Sequence, residues 1–129
     1  MEKEISIVDL SNVEFHRYEA KRHGNIIYEH AAKLERRAFP KHEAIQPGDM
    51  KREFKRQNNE VFFAITKHEL LLGYAIFARK SSKANLIKLF VHRDYRRKGI
   101  GSGLIHMGID LLKQQNCQVQ SQQQTHIFQ

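Results

Sequence analysis

The sequence predicts an α+β fold, mixed α/β layers in which a largely antiparallel sheet is flanked by helices. Three observations lead there. The runs "EVFFAIT", "LLLGYAIFA" and "ANLIKLFVH" are apolar, aromatic and β-branched, and only "KHE" and "RKSSK" separate them, so three strands follow one another through short turns. Ahead of them, Ile27, Ala31, Leu34 and Ala38 recur at spacings of four, three and four, which is one face of a helix. Behind them, Ile100, Leu104, Met107 and Leu111 form a second face, widened by Ile105, Ile109 and Leu112, and this helix should bury itself against the sheet.

The elements follow in order. "ISIVDL" and "VEFHRYEA" alternate apolar and polar residues in part and read as a first strand, with room for a break at Ser11-Asn12. The first helix runs from Asn25 to Phe39, where Pro40 disfavours helical geometry in the residue before it. Pro47-Gly48 marks a turn, and Asp49 is placed to cap a short basic helix, "MKREFKRQ", with Met50 and Phe54 as its apolar side. The three strands and the long helix come next. "CQVQSQ" begins a further strand, and the tail "QQQTHIFQ" has no core-forming pattern.

A chain of 129 residues, 40% hydrophobic with two prolines, fits one soluble domain over residues 1–129, with a core at 25–119 and an atypical tail at 120–129. No apolar stretch approaches the roughly 18 residues of a membrane span, and "MEKEISIVD" lacks a secretory signal's apolar segment, so a cytoplasmic or nuclear protein is expected. The lone cysteine, Cys117, has no internal disulfide partner and reads as a small buried residue. His16, His23 and His30 recur every seven residues, which on one helix puts them about 10 Å apart, too far for one ion; no metal site is expected. The net charge of +8 favours anionic partners without choosing among them.

"YRRKGIGSG", Tyr95 to Gly103, decides more. A strand that runs through Arg96, Arg97 and Lys98 into Gly99-Ile100-Gly101 and then into a helix leaves unpaired backbone donors at a helix N-terminus. Gly99 and Gly101 permit positive φ there, and the cations raise the local potential. The stretch is either a solvated basic turn or a pyrophosphate site. It lacks the spacing of the nucleotide-hydrolase phosphate loop and of the Gly-x-Gly-x-x-Gly dinucleotide turn.

It does match Arg/Gln-x-x-Gly-x-Gly/Ala at Arg96, Gly99 and Gly101, after the strand "LFVHRDY" and before an apolar helix. Here the chain, from about Asn25 to Val119, resembles the GNAT N-acetyltransferase family. "LERRAFPKHE" resembles the helix and loop that shape the acceptor site of protein N-terminal and ribosomal-protein acetyltransferases. The resemblance implies a GNAT-like acyl-CoA N-acyltransferase fold and acetyl transfer from acetyl-CoA to a primary amine, on a protein or peptide. It implies that Leu89, Phe90 and Val91 offer backbone groups to the pantetheine arm and acetyl carbonyl. It gives the pyrophosphate to Arg97, Lys98, Gly99, Ile100, Gly101 and Ser102, alongside Arg96 of the signature.

The resemblance also has gaps. The family often carries an acid on the strand before the signature or on the next one, yet "NLIKLFV" offers only Lys88, and the next strand reaches Gln122 and Gln123, which are amides. His42 and Glu43 are the catalytic candidates, for orienting an acceptor amine or relaying its proton; a solvated turn with a helix-capping carboxylate is the other reading. His92, just past the strand, is expected to be exposed. The resemblance also implies a further helix with a thiol-side tyrosine and a final strand; neither is read in this sequence, so the C-terminal part of the pattern is expected to be truncated or replaced, and Tyr18, Tyr28, Tyr74 and Tyr95 do not fit that role. A chain that binds acyl-CoA without turnover is therefore an alternative. A nucleic-acid binder using Arg52, Lys55, Arg56 and Arg96 to Lys98 is another, though only Tyr95 and Phe54 adjoin those cations, which is thin for base stacking.

Overall fold

A computed structural model describes residues 12–39, 45–120 and 126–128. A short strand, β1 (Val13–Arg17), leads into the one-turn helix α1 (Ala20–His23), then α2 (Ile26–Ala38) and α3 (Pro47–Lys55). Three long strands follow, β2 (Asn59–Thr66), β3 (Leu71–Lys80) and β4 (Lys83–Val91), then α4 (Ile100–Gln114) and two short strands, β5 (Gln118–Gln120) and β6 (His126–Phe128). The strands β1 to β4 pair antiparallel in sequence order, while β5 and β6 both pair parallel with β4. This is the mixed α/β layer that the sequence predicts.

Strand alternation divides the core between two faces. On one face, Phe63, Tyr74, Ile76 and Phe90 pack with Ile27, Tyr28 and Ala31 of α2 and with Met50 and Phe54 of α3. On the other, Phe62, Ala75, Phe77 and Leu89 pack with Ile100, Leu104 and Leu112 of α4. Cys117 is buried there as a free thiol, 1% exposed. No described helix is long and apolar enough to cross a membrane.

Several boundaries and faces differ from the sequence reading. The first strand stops at Arg17 instead of continuing to Ala20, because α1 begins there; the segment "ISIVDL" lies outside the described residues. The second helix starts at Pro47, whose fixed φ suits the first helical position, so Asp49 lies inside the first turn and pairs with Arg52 at 2.7 Å. On α2, Ala38 is exposed and Glu35 is buried instead. On α4 the buried line is Ile100, Gly101, Leu104, Gly108 and Leu112, with Met107 and Leu111 only partly covered. The rotation follows from Gly108, where a Cβ would lie 2.2 Å from Cε1 of Phe77, so the helix backbone rests on that ring. The tail, which shows no core pattern in the sequence, nevertheless supplies β6.

Candidate functional site

The site is built around the outer edge of β4. Its inner edge is held by β3, with Gly73 opposite Val91, Tyr74 opposite Phe90, Ala75 opposite Leu89 and Ile76 opposite Lys88. Between Ile76 and Phe77 the register slips, since Phe77 faces Leu86, and Ile87 is the extra residue of a bulge. On the outer side β5 pairs only with Lys83, Ala84 and Asn85, and β6 pairs with Lys88, Leu89 and Phe90. Leu89, Phe90 and Val91 are buried, so only their backbone groups can serve a ligand at that edge.

From Val91 the chain passes His92 and a 3-10 turn, Arg93–Tyr95, and reaches α4 through Arg96 to Gly99. Gly99 is the N-cap with φ +91°, in the left-handed region that glycine enters without strain. Gly101 needs no such freedom, because it is already the second residue of α4; the second left-handed position is Arg97, at φ +64°. No side chain caps α4, and its first turn holds no acidic residue. The donors of a helix N-terminus and the positive end of its dipole are therefore left without a side-chain cap, beside exposed Arg97, Lys98, Gly99 and Ser102.

Arg96 behaves differently from its neighbours. Its Nε donates to the carbonyl of Val91 at 2.9 Å, and its guanidinium lies 5.6 Å from the centre of the Phe90 ring. It ties the turn back onto the end of β4, and so fixes where α4 points.

Beneath β4 lies a cluster that composition did not reveal. Glu35 of α2, 2% exposed, accepts from the Tyr74 hydroxyl and pairs with Lys88 Nζ. Lys88 also lies 5.8 Å from the Tyr74 ring centre. Burial, then the neighbouring Glu35 charge and the hydrogen bond to it, hold the Tyr74 hydroxyl well above the usual tyrosine pKa. An acidic residue is thus brought to β4 from a helix, though its carboxylate is already engaged by two donors.

His92 is half-buried, against the exposed position expected for it. Its Nδ1 accepts from the Asp94 N–H at 3.1 Å, and Tyr95 packs edge-on against the ring. Burial lowers its pKa below the usual imidazole value; Arg37, Arg96 and Arg93 add to this and Asp94 opposes it. A neutral ring with Nδ1 accepting keeps its proton on Nε2, so His92 offers a donor. It lines a cavity of about 190 Å³ with His30, Lys33, Arg37 and Glu69, and an adjoining one of about 240 Å³ with Phe90 and Arg93. His42 and Glu43 lie outside the described residues.

The three histidines spaced by seven sit on three elements, β1, α1 and α2, instead of one helix. The His16 and His23 rings are 5.8 Å apart, and His16 pairs with Glu14. Among the described residues no group of three metal-ligating side chains forms.

A curled sheet with helices on both faces, a bulged fourth strand and a helix N-terminus at its end define the architecture of the acyl-CoA N-acyltransferases. The chain belongs to the acetyltransferase (GNAT) family, whose model matches residues 28–126. Its fold is similar to ribosomal-protein-S18-alanine N-acetyltransferase from Escherichia coli, at 21% identity and a TM-score of 0.63, covering 80% of this chain and 61% of that one. It is similar to ribosomal-protein-alanine N-acetyltransferase from Brucella melitensis biovar Abortus 2308, at 17% identity and 0.66, covering 83% and 77%. It is also similar to AAC(6')-Iy in complex with the bisubstrate analog CoA-S-monomethyl-acetylneamine, at 16% identity and 0.64, covering 87% and 80%. The chain thus spans 61% of the length of the Escherichia coli enzyme. No curated protein sequence matches it.

Proposed function

We propose that this chain binds acetyl-CoA and serves acetyl transfer to a primary amine of a protein or peptide. The observation that carries the reading is the uncapped N-terminus of α4, free of acidic residues in its first turn and flanked by exposed Arg97 and Lys98. A diphosphate placed there would meet the Ile100, Gly101 and Ser102 end of the helix, with the left-handed backbone at Arg97 and Gly99 shaping the approach. The CoA moiety in the AAC(6')-Iy complex supports the choice of ligand. Along β4, an arm that carries amides would use the edge at Leu89 to Val91 as a strand would.

When bound, acetyl-CoA supplies a thioester whose C–S bond breaks as an amine nitrogen takes the acetyl group, the amine's proton ending on the departing thiolate. The chain's own tasks are to hold the arm and to present a neutral amine. A terminal amine has a reference pKa of about 7.7–8.0 against about 10.4 for lysine, so it needs less help from a base. We assign acceptor orientation, or relay of the amine's proton through water, to His42 and Glu43. Arg96 is assigned to positioning the turn, and Arg97, Lys98, Gly99, Ile100, Gly101 and Ser102 to the pyrophosphate.

The cavity that His30, Lys33, Arg37 and His92 share favours acidic or neutral acceptor segments over polyamines. A cytoplasmic or nuclear setting, where thiols stay reduced, fits the free Cys117. A second reading, binding through the diphosphate at α4 without turnover, is favoured by β6 on the β4 edge, where it would keep the thioester arm from seating. Thiol release from acetyl-CoA, followed with peptides bearing a free N-terminus, the same peptides N-acetylated but carrying lysine, and an amino sugar, tests the proposal. Release above the amine-free rate with free N-terminal peptides is expected. Binding with no release across the panel would establish the second reading instead.

A further inference from the structure

The edge of β4 assigned above to the cofactor arm already has a neighbour. Lys88, Leu89 and Phe90 pair in parallel with His126, Ile127 and Phe128 of β6, while β3 holds their other side. A strand has two edges, and each accommodates one extended partner about 4.8 Å away. Anything that hydrogen-bonds along the outer edge at Leu89 must therefore replace β6.

We propose that β6 is an autoinhibitory strand that competes in cis with the amide-bearing arm of acyl-CoA for the outer edge of β4. The inference rests on the cofactor reading given above. It differs from that reading in making cofactor entry conditional on displacement of residues 126–128. Three features suit a displaceable plug. β6 spans only three residues, so its ladder is short. It is parallel, the weaker pairing per residue. Its sequence places Ile127 and Phe128, good strand formers, shortly after the glutamine run Gln122 to Gln124. The helix N-terminus stays open to the diphosphate while the arm's edge is closed, so the two halves of the ligand are gated separately.

The test is calorimetric titration of acetyl-CoA into the full chain and into Ile127→Pro, which removes an N–H from β6 and fixes a φ unsuited to the ladder. A three-residue ladder limits the effect to about tenfold, so the dissociation constant should tighten by about that factor in Ile127→Pro and stay unchanged in Ile127→Val. Equal affinity in the wild type and Ile127→Pro overturns autoinhibition and leaves the cofactor reading standing, as does weaker binding by Ile127→Pro. No binding by either overturns both. In the unaltered chain, hydrogen exchange should show the His126 to Phe128 amides losing protection as acetyl-CoA is added; protection that persists at saturation would also overturn the inference.

Discussion

The Tyr74 hydroxyl donates to the Glu35 carboxylate, joining the middle of β3 to α2 across 39 positions of sequence. Lys88 closes on the same carboxylate from β4, so one buried acid locks α2 over two strands of the site. Glu35→Ala would strand an ammonium and a hydroxyl in the core and should cost about 3 kcal/mol of stability, at the low end for a buried pair because Lys88 keeps 17% exposure. Tyr74→Phe, which leaves Glu35 its lysine, should cost about 1 kcal/mol. Urea unfolding of both variants checks the order as well as the size.

The same tyrosine sets an alkaline limit. Its hydroxyl titrates well above 10.0 in the fold, so the folded chain keeps a proton that the unfolded chain loses near that pH. The stabilisation is complete below pH 10 and declines above it. At the acid side the sign reverses: burial lowers His92 and His23, so the unfolded chain takes up protons first, and stability falls as pH drops below about 6.5. Denaturation midpoints measured from about pH 5 to 11 should therefore fall at both ends, with the alkaline fall reduced in Tyr74→Phe.

Arg96 and Arg97 are adjacent, and the structure separates their roles. Arg96→Ala removes a hydrogen bond to Val91 and a stack on Phe90, which should lower stability by about 1–2 kcal/mol and disturb ligand binding through the turn. Arg97→Gly relieves a left-handed non-glycine residue, so stability should hold or rise by up to about 1 kcal/mol. Acetyl-CoA binding by Arg97→Gly should nevertheless weaken several-fold and depend less on salt. Melting temperatures and titrations at two ionic strengths on both variants decide it.

Gly108 offers a packing test away from the ligand. Alanine is the better helix former by about 1 kcal/mol, yet its methyl would meet the Phe77 ring. Overpacking should win, and Gly108→Ala should lose about 1–2 kcal/mol. Adding Phe77→Leu should recover part of that loss in the same unfolding assay.

The sequence revealed what is periodic or local. The strands from Asn59 to Val91, the helix ahead of them and the turn at Gly99 all follow from spacing, β-branching and the punctuation of Pro40 and Gly99. What it hid depends on contacts between distant segments. Glu35 looks like the polar flank of an amphipathic helix until Tyr74 and Lys88 are brought to it. The Gly108 contact is invisible without Phe77, so the spacing of apolar residues alone points to a stripe one notch around α4 from the buried one. Arg96 and Arg97 are alike in sequence and part only when the turn directs one guanidinium onto Phe90. β6 escaped because a three-residue strand has too little pattern to read, and its place is set by the open edge of β4.

Calorimetric titration of acetyl-CoA, carried to about 1 mM, reads out whether α4 and β4 together hold the ligand. Saturable heat is predicted for the full chain, weakened in Arg97→Gly and strengthened in Ile127→Pro. No saturable heat in either the full chain or Ile127→Pro would contradict the claim that α4 and β4 form an acyl-CoA site.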